Sequence, residues 1–350
     1  MAAASTNWKL TLAYDGSAFH GWQIQSAQSG LATIQGTLAG ALFRLTGEQV
    51  LPQGSGRTDA GVHALAQVVS FRLAAPVPAA NLQRALNRIL PARIRVLSCE
   101  QVPHSFHARH SARSKTYEYR IFERRIRPGP GVPATERICS PFLAPYAWDC
   151  RWPLSLDAMR EAAALLIGTH DFTSMAATDP DRSQREPGDD SPSHRAININ
   201  PIKTITHAKW SHAPDPCSLI PDFSLLIFRI SGSGFLYHMV RNIVGTLVEI
   251  GRGSLEPSDL TRILTARDRT AAGPTAPARG LYLVEVLYDP DPTHKLEDHK
   301  VKDHHDTGCP IHDDAVGMSG MNNRSDTHDT GSPIHDDEEV DVMSGGEAAR

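Results

Sequence analysis

A glycine-rich segment at residues 54–63 places the tightest constraint on how this chain can fold. Three glycines surround Arg57 and Asp59, and an alternating apolar run over residues 66–73 follows at once. In that run, the apolar side chains at every second position share one face, which is the pattern of a half-buried β-strand. The sequence therefore predicts a tight, glycine-built turn that leads directly into a rigid strand.

Asp59 lies inside this predicted turn, two residues after Arg57. A turn that is anchored to a rigid strand can hold a catalytic carboxylate in one orientation. Aspartate is also common in ordinary turns, where its side chain hydrogen-bonds to nearby backbone. The spacing of the residues leaves both interpretations open.

Length and cysteine content narrow the class of protein. A chain of 350 residues is long for one hydrophobic core, so we expect two domains. The sequence contains no apolar run long enough to span a membrane and no secretion-signal pattern at its first residues. Its five cysteines form no CxxC pair, which favours reduced thiols over disulfides or a zinc site. These features predict a cytoplasmic protein that does not bind a membrane.

The net charge of −4 is the sum of two segments whose charges have opposite signs. Residues 291–350 contain 5 basic and 15 acidic side chains, a net charge of −10, whereas residues 1–290 carry a net charge of +6. A mildly basic globular part is compatible with binding a phosphate backbone. The same value is also unremarkable for a protein of this length, so charge permits an RNA partner without identifying one.

Apolar periodicity predicts a mixture of strands and helices. Alternation predicts a strand at residues 9–14, and a helical period predicts helices at 33–47, at 81–90 before Pro91, and at 155–168 with Ser155 as the N-cap. A second strand-rich part begins near residue 114. The elements do not alternate as regular βαβ units, which favours an α+β fold.

Three segments interrupt this pattern. Residues 124–137 are basic and rich in proline and glycine, and residues 177–195 are a polar insertion, so we expect both to be surface loops. In the acidic segment 291–350, a ten-residue motif beginning at His305 recurs almost unchanged from His328. Its low apolar content predicts a tail that does not order itself.

Seven segments together resemble the TruA family of tRNA pseudouridine synthases. Residues 57–63, Arg-Thr-Asp-Ala-Gly-Val-His, look like the signature of that family. The other six occur in the family's order: residues 14–23, 106–109, 115–120, 171–174, 235–245 and 280–283. The resemblance covers roughly residues 8–290.

It implies an N-terminal α+β half (1–112) that carries the aspartate motif and a C-terminal α+β half (113–290), with the tail (291–350) outside. Each half is expected to hold an antiparallel sheet with helices, and the two halves to meet at a central catalytic cleft.

The resemblance also implies the roles of particular residues. Asp59 would be the catalytic nucleophile, and Arg241 would keep its carboxylate charged and oriented. Tyr117 would stack on the target uracil or help to deprotonate it, and Arg57 would bind near the flipped nucleotide or its phosphate. His63 closes the motif, but packing or capping explains it equally well. From the residues alone, Tyr117 also fits a core position, because Tyr117, Tyr119 and Ile121 share one strand face.

The spacing of apolar residues gives independent information about Arg241. A 4-3-4-3 stripe predicts a helix through the residues Leu236, Val240, Ile243, Leu247 and Ile250. Arg241 lies off this stripe, so its side chain is free to point towards a cleft. An ordinary surface salt bridge is the alternative interpretation.

The implied reaction is the isomerisation of uridine to pseudouridine at positions 38–40 of the tRNA anticodon stem-loop, carried out by a homodimer. This reaction needs no cofactor or metal, and the sequence has neither a dinucleotide-binding nor a P-loop glycine motif. Three alternatives remain open: a pseudouridine synthase with a different RNA target, a catalytically silent RNA-binding protein on the same fold, and a hydrolase that uses Asp59 with His63. The last lacks a recognisable nucleophile elbow.

Overall fold

One ten-stranded sheet runs through the part of the chain that this computed structural model describes, residues 5–25, 30–126, 135–178, 200–214 and 224–289. The strands are β1 (Thr6–Tyr14), β2 (Gln53–Gly54), β3 (His63–Leu73), β4 (Ile94–Val102), β5 (Ala112–Glu123), β6 (Arg125–Ile126), β7 (Thr135–Glu136), β8 (Trp148–Cys150), β9 (Gly168–Asp171), β10 (Ile202–Pro214), β11 (Ser224–Gly232) and β12 (Leu281–Tyr288). The helices are α1 (Ile34–Thr46), α2 (Ala79–Ile89), α3 (Leu156–Ala164), α4 (Met239–Gly251) and α5 (Asp259–Ala266). The predicted α+β class is confirmed.

The main path of the sheet is β4-β1-β3-β12-β5-β11-β10-β9, with β2 added on β3 and β8 on β5. Strands β6 and β7 form a separate two-stranded sheet. Most neighbours are antiparallel, but β12 pairs with β3 in parallel, as β8 does with β5. The described residues all lie in one compact unit, 1–294. The boundary proposed at residue 112 therefore falls within a continuous sheet, and the division into two halves stays a prediction.

Strand β12 brings the end of the aspartate motif close to strand β5. Tyr282 pairs with His63 at the start of β3, and Leu283 pairs with Tyr117 on β5. Residue 63 and Tyr117 thus lie on the two strands that flank β12. The topology places the glycine-rich turn next to Tyr117, although the two are far apart in sequence.

Some helices begin and end at the residues that capping predicts, and others do not. Helix α1 begins after Thr33, whose hydroxyl accepts the Gly36 N–H, and ends at Gly47, which has a left-handed φ of 75°. Ser155 caps α3 as predicted, since its hydroxyl accepts the Ala158 N–H. Helix α3 nevertheless stops at Ala164 rather than near residue 168. Gly168 instead begins the edge strand β9, which pairs with β10.

Most residues of helix α4 are buried in the hydrophobic core. The predicted stripe residues Val240, Ile243, Leu247 and Ile250 are all buried. Leu236, the first residue of that stripe, lies before the helix, because His238 adopts a left-handed φ of 59° and the helix starts at Met239. Among the described residues, no helix is both long and apolar enough to cross a bilayer.

Gly245 allows the segment 274–276 to pack directly on α4. A Cβ atom at this position would lie 1.6 Å from the carbonyl oxygen of Pro274. The close approach lets the Ala276 N–H donate to the Arg241 carbonyl at 3.1 Å. A side chain at residue 245 would therefore displace the segment that borders Arg241.

We expect Gly245→Ala to lower the free energy of unfolding by roughly 1–3 kcal/mol, because the added methyl group overpacks the contact with Pro274. Gly40→Ala is the matched control, since residue 40 is an exposed helical position on α1 with open space around it. Removing the extra backbone freedom of glycine there should stabilise the protein by about 0.5–1 kcal/mol. Urea unfolding measures both values, and equal effects of the two substitutions would contradict the packing described.

Candidate active site

The backbone on both sides of Asp59 is fixed by contacts with the segment after β1. The Thr58 carbonyl accepts the Trp22 N–H at 2.9 Å, and the Thr58 hydroxyl lies 2.8 Å from the Tyr14 hydroxyl. Gly21 has a φ of 88°, and a Cβ atom there would lie 2.8 Å from the Thr58 carbonyl oxygen. Only glycine fits such an approach without strain. The glycine-rich turn is therefore held from outside as well as by its own residues.

The other end of this turn is attached to the sheet through Gln67 on β3. The Ser55 hydroxyl contacts Gln67 Oε1 at 2.7 Å, and Gln67 Nε2 donates to the Gly56 carbonyl at 2.9 Å. Gln67 is fully buried. The turn that carries Arg57 and Asp59 is thus tied to the strand that follows it, as expected for a rigid support.

Asp59 forms a partly buried ion pair with Arg241 of helix α4. Arg241 Nη1 donates to Asp59 Oδ2 at 2.8 Å, and Arg241 Nε donates to the Ala276 carbonyl at 2.7 Å. The Asp59 and Arg241 side chains are 17% and 15% exposed. Exposed salt bridges contribute only ~0–1 kcal/mol because water screens them. This pair is shielded on both sides, so the interpretation of Arg241 as an ordinary surface residue is wrong.

A histidine also contacts the same carboxylate oxygen. His238 Nε2 lies 3.2 Å from Asp59 Oδ2 and 3.3 Å from Arg241 Nη1. Its ring stacks on Tyr237 at a centroid separation of 4.0 Å. Burial lowers the pKa of His238, and the charges of Arg241 and Arg269 lower it further, against the opposing effect of Asp59. The imidazole is therefore neutral at physiological pH.

Tyr117 is both a core residue and a neighbour of Asp59. Its side chain is buried, and its ring meets Phe235 edge-on at 5.0 Å between centroids. Burial raises the pKa of Tyr117, and the nearby Tyr14 and the negative charge of Asp59 raise it further. The hydroxyl is therefore protonated at physiological pH. The two interpretations of Tyr117 left open by the sequence are compatible with each other.

Lys115, two residues before Tyr117 on β5, supports the glycine-rich turn. Its Nζ donates to the Ser55 carbonyl at 2.6 Å. A Cβ atom on Gly56 would lie 3.4 Å from Lys115 Nζ and 3.8 Å from the Tyr117 hydroxyl, so the turn passes close to both side chains. Burial lowers the pKa of Lys115 to about 8, and the charges of Arg109 and Lys203 contribute.

His63 is a buried packing residue in this structure. Its ring stacks on Tyr282 at 4.7 Å, and its Nδ1 accepts the Gly16 N–H at 3.2 Å. Burial lowers the pKa of His63, which favours the neutral ring. The His63 ring contacts are with Tyr282 and Tyr146, and its acidic neighbour is Asp15. This packing favours the structural interpretation of His63 over a catalytic one.

The structure brings Asp59, Arg241 and Tyr117 together, and Arg57 lies half-buried on the same turn as Asp59. Their catalytic and binding roles stay predictions. Sequence reasoning missed Phe235, His238 and Lys115, although all three fall inside the segments that resemble the family. Among the described residues, no group of three or more His, Cys, Asp or Glu side chains is arranged to hold a metal ion.

We expect the ε-carbon resonance of Lys115 to titrate with a midpoint near pH 8, because burial disfavours the charged amine. NMR of protein labelled with ¹³C-lysine measures this midpoint, and Lys115→Arg identifies the resonance by its loss. The variant also tests the fold, since the arginine remains able to donate to Ser55. A midpoint close to the ordinary lysine value of 10.5 would contradict the buried position.

Comparison with known proteins agrees with this geometry. The family model described as tRNA pseudouridine synthase matches residues 11–111 and 162–289, which together are more than half of the chain. A protein of Solibacter usitatus named tRNA pseudouridine synthase A is 43% identical over 280 residues, covering 80% of this chain and 98% of that protein. Proteins of the same name from Moorella thermoacetica and Bacillus pumilus are 42% and 39% identical, each over 80% of this chain and 98% of their own length. The residues that the family model matches include the Asp59 turn and helix α4. This chain belongs to the tRNA pseudouridine synthase family.

Proposed function

We propose that this protein is an isomerase that converts uridine to pseudouridine at positions 38–40 of the tRNA anticodon stem-loop. The observation that carries the proposal is the contact of Arg241 with Asp59, beside Tyr117, in a chain of this family. The relatives named tRNA pseudouridine synthase A align over nearly their whole length, which supports the same activity here.

The chemistry rearranges atoms within one nucleotide. The bond between N1 of uracil and C1′ of ribose breaks, and a bond between C5 and C1′ forms. C5 then loses its proton, and N1 gains one. No electrons are exchanged with a second reagent, so one well-placed nucleophilic carboxylate is the main requirement.

Asp59 supplies that carboxylate in our proposal. The turn contacts at Thr58 and the ion pair with Arg241 fix its position before substrate binds. A preorganised, partly dehydrated charge interacts more strongly with a reacting group than a charge in water. Arg241 itself is held by Ala276, so it stabilises the negative charge and also sets the orientation of the carboxylate.

Tyr117 provides a ring on which the uracil stacks. Stacking a base on an aromatic ring contributes about 1–3 kcal/mol. The raised pKa of the Tyr117 hydroxyl favours stacking over deprotonation, because little phenolate is present to accept a proton. Arg57, on the same turn as Asp59, is placed to meet the backbone of the extruded nucleotide, since the target base must leave its stem to reach the carboxylate.

We propose that tRNA is the partner of this protein and that the protein works as a homodimer in the cytoplasm. The mildly basic charge of residues 1–290 is consistent with an RNA partner. The relatives named tRNA pseudouridine synthase A support the tRNA target and not the different RNA target that the polar insertion at 177–195 left open. That insertion lies almost entirely outside the described residues, as does the acidic tail.

We expect Asp59→Asn to abolish pseudouridine formation and to leave the dissociation constant for tRNA within a few-fold of wild type. The amide keeps the shape of the carboxylate but is not nucleophilic. Tritium release from tRNA labelled with 5-³H-uridine measures the reaction, and filter binding measures the affinity.

Asp157→Asn is the matched control, because Asp157 is an exposed aspartate on α3 paired only with Arg160 among the described residues. It should release tritium at the wild-type rate. Comparable release by Asp59→Asn would remove Asp59 from the role of nucleophile.

We expect Tyr117→Phe to keep the wild-type rate within a few-fold, because the ring remains. Tyr117→Leu removes the ring and should lower kcat/KM by about 5- to 150-fold, the range that corresponds to the loss of one base–aromatic stack. Steady-state kinetics on anticodon stem-loop RNA distinguishes the two variants, with thermal unfolding to check that both fold. If Phe is as slow as Leu, the hydroxyl takes part in proton transfer.

A further inference from the structure

The chain runs along one side of helix α4 at residues 273–276, where it forms neither helix nor strand. The Gly273 N–H donates to the Thr246 hydroxyl at 2.9 Å, and the Ala276 N–H donates to the Arg241 carbonyl at 3.1 Å. A segment outside regular structure lacks the repeating backbone hydrogen bonds that keep a helix or a strand in place. Its position therefore depends on contacts of this kind and on its side chains.

The Thr275 hydroxyl fastens the middle of this segment to α4. It donates to Asn242 Oδ1 at 2.7 Å and accepts a hydrogen bond from Arg269 Nη2 at 3.1 Å. Asn242 is fully buried and follows Arg241 directly in the helix. The Thr275 hydroxyl thus uses both its donor and its acceptor capacity within the protein.

Arg269 joins the parts of this network through one guanidinium group. Its Nη2 also donates to Asn242 Oδ1 at 3.0 Å, and its Nη1 donates to the Gly273 carbonyl at 3.0 Å. Asn242 in turn donates through Nδ2 to the Met175 carbonyl at 2.8 Å. Hydrogen bonds from a charged donor are stronger than those between neutral groups, and the planar guanidinium fixes their relative directions. The Thr275 hydroxyl is therefore attached to a rigid frame.

The next residue, Ala276, is the one that orients Arg241. Its carbonyl accepts the Arg241 Nε–H at 2.7 Å, while Arg241 Nη1 donates to Asp59 Oδ2 at 2.8 Å. Because the guanidinium is planar, the direction of the Nε–H bond sets where Nη1 points. Pro277 follows Ala276 and restricts its backbone, so Ala276 has little freedom to absorb a shift of residue 275.

We propose that Thr275 is a positioning residue whose hydroxyl holds the Ala276 carbonyl in place and so directs the Arg241 guanidinium onto Asp59. Its effect on activity rests on the proposed function, because Thr275 acts on the reaction only through Arg241. The alternative is that the Thr275 hydroxyl stabilises the fold and has no effect on the reaction.

Thr275→Val tests the hydroxyl, since valine has nearly the shape of threonine without its donor and acceptor. We expect kcat to fall about 10-fold, with KM for tRNA within about 3-fold, because a small misplacement of an active-site group lowers the rate steeply. Thr275→Ser keeps the hydroxyl and should retain kcat within about 2-fold of wild type. Steady-state tritium release measures these values, and thermal unfolding shows that each variant is folded at the assay temperature.

Thr265→Val is the matched control. The Thr265 hydroxyl donates to the Thr261 carbonyl at 2.8 Å on the exposed side of α5, so its loss should leave kcat at the wild-type value. If Thr275 only stabilises the fold, Thr275→Val unfolds at a lower temperature but keeps the wild-type kcat while folded. That result overturns the proposal, and so does a folded Thr275→Ser variant that is as slow as the valine variant.

A second measurement needs neither tRNA nor activity. In protein labelled with ¹⁵N-arginine, the Arg241 Nε–H signal is identified by its loss in Arg241→Lys. This proton should exchange slowly with water in wild type and in Thr275→Ser, because the Ala276 carbonyl accepts it, and at least about 10-fold faster in Thr275→Val. Equal exchange in wild type and Thr275→Val overturns the inference. If wild type makes no pseudouridine while these exchange rates are found, the proposed function fails and the positioning of Arg241 by Thr275 stands.

Discussion

The ion pair between Asp59 and Arg241 is the contact on which the architecture of the site depends. It joins the glycine-rich turn before β3 to helix α4, across 182 residues of sequence. Each partner is fixed independently before the two meet. Thr58 is held by Trp22 and Tyr14 on one side, whereas Arg241 is held by Ala276, which lies close to α4 because residue 245 is glycine. The pair thus needs little rearrangement to form, and its members lose little entropy when substrate binds.

The sheet supplies the third member of the site. Because β12 pairs with both β3 and β5, the end of the glycine-rich turn and Tyr117 are positioned from the same strand. Lys115 on β5 then reaches back to the Ser55 carbonyl. The Asp59 carboxylate, the Arg241 cation and the Tyr117 ring therefore come from three separate parts of the chain, and their relative positions are set by one continuous sheet and one helix packed on it.

Local patterns in the sequence predicted the elements but not every boundary. The strand over 66–73, the cap at Ser155 and the position of Arg241 off the apolar stripe are all confirmed, because each depends on neighbouring residues. The expected half-buried pattern of that strand is wrong, since residues 67–71 are buried on both faces. The start of α4 was placed too early, since the stripe begins at Leu236 and nothing in the sequence marks the left-handed φ of His238. The end of α3 was placed too late, because pairing of β9 with β10 takes residue 168 into the sheet.

Site residues that depend on distant contacts were the hardest to predict. His63 and His238 both lie in segments that resemble the family, yet only His238 contacts the Asp59 carboxylate, and the difference is set by tertiary structure. Lys115 was missed for the same reason, because its partner Ser55 is 60 residues away. Tyr117 had two competing interpretations, core and site. The core position is confirmed, whereas the role of Tyr117 in stacking on uracil beside Asp59 stays a prediction.

The most direct measurement is a crystal structure of the protein bound to an anticodon stem-loop that carries 5-fluorouridine at position 39. Fluorine at C5 cannot leave as a proton, so the nucleotide is held in the site. We expect the flipped nucleotide to lie on the Tyr117 ring with the Asp59 carboxylate as the closest protein group to its reacting centre, and Oδ2 still bound by Arg241. A target nucleotide bound away from Asp59, or with the Asp59–Arg241 pair broken, would contradict the proposed active site.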